Sequence, residues 1–143
     1  MAGPEDEIRL LIEERIAAMK AKDAGRAVSR IADSAVTFEL APPLAQEPGA
    51  AAHPEALAAW LDGFEELDIE VRDMVIEAET TVAFAYALHH LTGTRKGGQP
   101  VSLWMRSTLG FRRDIGGWTI VHAHTSVPFY MDGSFRAAVD LEP

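Results

Sequence analysis

Cysteine is absent from the 143 residues, which excludes disulfides and thiolate metal sites and fits a reducing compartment. Basic residues are scarce: 13 Lys and Arg stand against 22 Asp and Glu, for a formal charge of -9. A surface of that sign repels phosphate backbones and anionic lipid, so neither nucleic acid nor a membrane surface is an expected partner. No apolar run approaches the length that spans a bilayer. The opening MAGPEDEIRLL is acidic where a secretory signal needs a basic region followed by an unbroken apolar one. Repeats, low-complexity tracts and linkers are lacking too. What remains is one expected domain over residues 1–143, cytoplasmic and soluble, long enough to bury a single core.

The apolar residues are spaced in two different ways. Ile8, Leu11, Ile12, Ile16 and Met19 recur at three- and four-residue intervals and predict an amphipathic helix. Pro4 and the acidic Glu5, Asp6 and Glu7 suit its first turn, and Lys20 and Lys22 suit its end. Asp23 is placed to cap a short second helix carrying Ala27, Val28 and Ile31. AVTFEL (35–40) reads as a strand, followed by a loop rich in proline and glycine. Pro54 starts another helix, with Leu57, Trp60, Leu61 and Phe64 on one face. After Gly63 the pattern turns to strands. LDIEVRDMVIEAE alternates and then breaks phase near Asp73, as at a bulge. TTVAFAYALHHLTGT and PVSLWMRSTLGFRRD are joined by the glycine-bearing RKGGQ, and WTIVHAHTSVPF closes the series after DIGG. Residues 130–143 form a C-terminal tail. Helices followed by long antiparallel strands predict an α+β domain with its helices on one face of the sheet.

This order of elements, with ALAAWLDGF (56–64), GTRKGGQPVSLWMR (93–106) and GGWTIVHAHTSVPF (116–129), resembles the SnoaL-like branch of the nuclear transport factor 2-like superfamily, which includes ketosteroid isomerase-like proteins. The closing segment also resembles the end of the association domain of calmodulin-dependent kinase II. The resemblance implies a cone-shaped fold: N-terminal helices packed on a strongly curved, mainly antiparallel sheet around a pocket. It also implies that Leu88, Thr108 and Thr125 occupy pocket positions, which turns the rows Phe84, Tyr86, Leu88, His90 and Trp104, Arg106, Thr108 inward. By the same parity Ala123 and Thr125 face the pocket, and Ile120, His122 and His124 face outward. In many relatives that outer face packs against a second subunit, so a homodimer is expected.

The candidate site then comprises Phe38, Trp60, Phe64, Tyr86, Leu88 and Trp104 as apolar walls, with Arg106, His90, Thr108 and Thr125 as polar groups. Its expected ligand is a small hydrophobic or aromatic molecule bearing a carbonyl or carboxylate. A guanidinium inside such a site needs a partner, either an internal carboxylate or an oxygen of the ligand. An isomerase or polyketide cyclase acting beside a carbonyl needs a base, and the inferred inner rows hold no carboxylate. His90 is left as the base and Tyr86 as a hydroxyl donor. His122 and His124 share one strand face, as a metal-binding His-x-His pair would, but the third ligand such a site needs is not visible in the spacing, so no metal is expected. No cofactor is implied. The other class of function is a non-catalytic association module, like a kinase hub, whose product is a dimer or a larger ring.

Overall fold

The computed structural model of the protein describes residues 2–143. Two helices, α1 (Pro4–Lys20) and α2 (Ala24–Ala27), precede strand β1 (Ile31–Phe38). A 3-10 turn at Ala50–Ala52 and helix α3 (Pro54–Asp62) lead into β2 (Phe64–Ala78), β3 (Val82–Arg95), β4 (Pro100–Asp114) and β5 (Gly117–Ser126). The five strands form one sheet in the order β1-β5-β4-β3-β2. β1 runs parallel to β5, and every other pairing is antiparallel. No helix among the described residues is long and apolar enough to cross a membrane.

Local chemistry accounts for the boundaries. The Gly3 amide donates to Asp6 Oδ2 at 3.3 Å, Pro4 occupies the first turn of α1, and the Arg26 amide donates to the Asp23 carboxylate at 3.1 Å at the head of α2. β1 starts at Ile31 rather than 35, drawn earlier by pairing of Ile31 with Ile120 of β5. The phase break in β2 is a bulge: register shifts between Arg72 and Val75, and Asp73 has φ 57. Gly93 sits where β2 approaches most closely, because a Cβ there would lie 2.2 Å from the Glu66 carbonyl oxygen.

Ile8, Ile12 and Ile16 of α1 are buried on the sheet among Ile69, Ile76, Ala83, Ala85, Leu91, Leu109, Phe111 and Ile120. This contact fixes which sheet face is the inner one. Trp118 at the start of β5 adds a polar tie, its Nε1 donating to Glu7 Oε2 of α1 at 2.8 Å.

Residues paired across antiparallel strands share a face. Ala85 pairs with Leu109 and Leu109 with Ala123; Ala87 pairs with Ser107 and Ser107 with Thr125. The inner rows are therefore Ala83, Ala85, Ala87, His89 and Leu91 on β3, Met105, Ser107 and Leu109 on β4, and Ala123 and Thr125 on β5. Tyr86 pairs with Thr108, Leu88 with Arg106 and His90 with Trp104, all on the opposite face. The expectation that these six side chains point into the cone is thus reversed for β3 and β4, while it holds for Ala123 and Thr125. Small residues are needed beneath α1 because three isoleucines already fill the space between helix and sheet, so the alanines of β3 face the helix and the aromatics face away.

Ile120 requires a second correction. It is 1% exposed and belongs to the core, not to the outer row of His122 and His124. Gly110 pairs with His122 but Phe111 pairs with Ile120, so Val121 is an extra residue on β5. A bulge of one residue reverses the parity on either side of it.

Candidate functional site

The outer face collects most of the residues singled out by sequence. His90 stacks on Trp104, ring centroids 4.3 Å apart and planes 9° from parallel, and its Nε2 lies 2.9 Å from Ser102 Oγ. The Arg72 guanidinium stands 5.3 Å from the Trp104 ring centroid. Arg106 is exposed and donates from Nε to Ser126 Oγ at 3.3 Å. Phe84 and Tyr86 stack at 6.4 Å. Phe38, expected as a pocket wall, meets His122 and His124 edge-on at 4.8 and 5.4 Å. His122 Nδ1 donates to the Val36 carbonyl at 2.6 Å, a cross-strand bond that fixes its tautomer. Among the described residues no three His, Asp or Glu gather into a set able to hold a metal ion.

Trp60 and Phe64 lie elsewhere. Trp60 of α3 packs edge-on to Phe64 at 5.0 Å, and Phe64 is fully buried. The Arg95 guanidinium covers the Phe64 ring at 5.2 Å. The residues expected to form one cavity are therefore divided. His90, Tyr86, Leu88, Trp104, Arg106, Thr108 and Phe38 share the outer face, whereas Trp60 and Phe64 form a separate pair and Thr125 lies on the inner face.

On the inner face a second set of polar groups comes together, and most of it was not read from the sequence. Under α1 the rows are sealed at Ala83, Ala85, Leu109 and Phe111, but farther along, His89, Met105, Ala123 and Thr125 keep partial solvent access. This stretch is the uncovered part of the concave surface. Arg15 projects from α1, one turn after Leu11. The residue is partly accessible as a whole, yet its Nε is buried and has no hydrogen-bond partner. Burial lowers its pKa, and the charge of Glu39, just beyond β1, opposes that shift. Thr37 on β1, opposite Ala123, is buried with an unpartnered Oγ1. Ser107 is buried in the adjoining row. Beside Arg15, a cavity of about 40 Å³ opens between α1 and α2, lined by Leu11, Glu14, Ala27 and Arg30 among others; it has room for water but not for an organic molecule. A wider, open depression of about 380 Å³ lies around Glu66, Leu67, Gly93 and Val101, beyond His89 and Met105 along β3 and β4.

His89 is pushed down to about 4, first by burial and then by the positive charge of Arg15. Its imidazole is accordingly neutral at pH 7. An unfolded imidazole titrates near 6.5, so between that value and about 4 the unfolded chain binds the extra proton. The stability that His89 contributes is complete above about 6.5 and is lost as pH falls through this window. Denaturant unfolding should show the wild type losing about 2 kcal/mol more than His89→Gln between pH 7.5 and pH 5. Equal losses in the two chains would show that His89 is not held neutral by its surroundings.

A family model for the SnoaL-like domain matches residues 8–130. The chain belongs to the SnoaL-like domain family. No curated protein matches it. A solved nuclear transport factor 2-like protein of unknown function from Pseudomonas putida is similar at 27% identity and a TM-score of 0.84, over 97% of this chain and 96% of that one. A proposed calmodulin-dependent protein kinase II association domain from Xanthomonas campestris is 16% identical, with a TM-score of 0.72 over 87% of this chain and 88% of its own. A proposed dehydratase of the nuclear transport factor 2-like family from Streptomyces avermitilis is 16% identical, with a TM-score of 0.71 over 84% and 93% of the two chains. The last two establish likeness of fold alone. In this SnoaL-like domain the two sheet faces are chemically distinct: a concave one with a neutral imidazole and a cation whose Nε is buried, and an outer one paved with aromatic and imidazole rings.

Proposed function

We propose that this SnoaL-like domain binds a small apolar molecule on the uncovered part of its inner sheet face, between α1 and the rows of β3, β4 and β5. The observation that carries this reading is Arg15, whose Nε is buried without a partner. Buried polar groups are almost always hydrogen-bonded, and one left open next to an accessible apolar surface is best explained by a group that arrives with a ligand. Thr37 Oγ1, equally unpartnered, gives a second polar contact. Ala87, Met105 and Ala123 offer the apolar floor. In an isomerase or cyclase built on this face, the neutral His89 would be the proton acceptor in place of His90, which points away from it. The family and the neighbour proposed as a dehydratase are compatible with such acid–base chemistry.

The site can be located by titrating the ¹⁵N-labelled chain with 2-naphthol, a flat apolar probe with one hydroxyl. The amides of Ala87, His89, Met105, Ser107 and Thr125 should shift most. Shifts confined to Leu88, His90, Trp104 and Arg106 would move the site to the outer face and overturn this reading.

A second reading concerns the outer face. Phe84 and Tyr86 are each 47% exposed and continue into Trp104, Phe38, His122 and His124, a ring-rich surface of the kind that marks a protein contact. It supports homodimerisation through that face, with or without a ligand on the other. Association as the main function, as in the kinase hub that the closing segment resembles, rests on the same surface.

A further inference from the structure

We infer that the molecule held on the inner face is an organic monoanion, its charged oxygen group meeting Arg15 and its apolar body lying over Ala87, Met105 and Ala123. This deepens the binding reading above and rests on it. The argument is one of charge. No carboxylate of the described residues lies within 4.0 Å of the Arg15 guanidinium. Glu39 acts on it only through space and is itself exposed.

Apart from Asp33, which alternates with Ala35 and Thr37 on β1 and is exposed, the inner rows contain no acid. They run through Thr37 on β1, Ile69, Val71 and Ile76 on β2, the alanines and His89 on β3, Met105 and Ser107 on β4, and Ala123 and Thr125 on β5. The chain has nine more acidic than basic residues, yet none of those acids is paired with Arg15. A partly desolvated cation without a counter-charge is costly, and an incoming anion offsets that cost more fully than a neutral ligand does. The anion is assigned a single charge because Arg15 is the cation whose Nε is enclosed without an acceptor, whereas Arg26 and Arg95 are exposed to solvent. His89 is neutral, and Arg30 is committed to the backbone carbonyls of Trp118 and Gly116. A phosphomonoester would leave one charge buried and unpaired. A carboxylate or phenolate matches the guanidinium fork, and the Thr37 hydroxyl can donate to a remaining oxygen lone pair.

Two probes of nearly the same shape, 2-naphthoate and 2-naphthamide, separate charge from fit. Calorimetry combined with amide shifts should give naphthoate the tighter binding by roughly tenfold or more, since hydrogen bonds to a charged partner are the stronger ones. Arg15→Met should remove this preference by weakening naphthoate far more than naphthamide. Glu39→Gln, at an exposed position that puts folding at little risk, removes a competing negative charge and should tighten naphthoate several-fold without affecting naphthamide. Equal affinity of the two probes at the inner face would overturn the charge assignment and leave the binding site standing. Failure of both to shift the inner-row amides would overturn the binding site as well. A Glu39→Gln chain that binds naphthoate no better than the wild type also counts against the assignment, and it is decisive should Arg15→Met not fold.

Discussion

Tyr86→Glu is expected to leave the chain monomeric, and the wild type to sediment at twice its 15.6 kDa. Tyr86 lies in the middle of β3, on the face away from α1, and stacks with Phe84. Its neighbours on that face are Thr108 of β4 and, one strand farther, His124 of β5. If two copies pack these faces together, a carboxylate at position 86 is buried twice in each dimer, and no cation on the same face is paired directly with it. Arg106 is two residues farther along β4 and already donates to Ser126. Burying an ionised carboxylate without a partner costs several kcal/mol, which corresponds to a weakening of dimerisation of at least about a hundredfold. The monomer itself should be unharmed, because Tyr86 is half exposed and takes no part in the core. Equilibrium sedimentation at micromolar concentration, with circular dichroism as the check on folding, reads both quantities. A wild-type chain that is monomeric, or a Tyr86→Glu chain that still dimerises, would remove the outer face from consideration as the interface.

That such a substitution can be aimed at one face depends on parity, and parity is where sequence and structure part. The α1 stripe, the acidic first turn, the Asp23 cap and the phase break at Asp73 were all legible, since each is set by neighbours a few residues away. The facing of a strand is set by what lies across from it. On β3 the alternatives were Ala83, Ala85 and Ala87 or Phe84, Tyr86 and Leu88, and the likeness to the kinase domain placed the second row inside. The reverse is true because Ile8, Ile12 and Ile16 bring their own bulk, leaving room only for methyl groups beneath them. A shift of one residue in the likeness to the kinase domain was enough to exchange the two faces over two strands. On β5 the extra residue Val121 performed the opposite exchange, so that Ile120 and His122, both of even number, ended on different sides.

Arg15 was passed over for a related reason. A cation between Ile12 and Ile16 reads as the polar edge of an amphipathic helix, and only tertiary packing shows that its Nε is enclosed. The signal available in sequence was its spacing of one turn from Leu11, which puts it beside the apolar stripe rather than opposite it. His89 and His90 illustrate the same limit from the sheet side: adjacent, chemically identical, and assigned to different surfaces by alternation alone.

The inner face should also give the largest loss of stability in the molecule, through Phe111→Ala. Phe111 is 1% exposed, at the end of β4 where the chain pairs with Ala83 on one side and Ile120 on the other. It belongs to the cluster that contains Ile8 and Ile12 of α1, so its ring helps to anchor the helix to the sheet as well as β4 to β5. Truncation removes most of the side chain and leaves a cavity that α1 can close only in part, because the Trp118–Glu7 hydrogen bond holds its first turns in place. Losses of about 3–5 kcal/mol are usual for such a change, and the neighbouring alanines have no rotamers with which to fill the gap. Tyr86→Ala, of similar bulk but on the outer face, should cost the monomer under about 1 kcal/mol. Denaturant unfolding of the two variants, compared at a concentration where both are monomeric, therefore tests the assignment of faces directly. A Tyr86→Ala loss equal to that of Phe111→Ala would mean that the aromatic row of β3 is in the core after all.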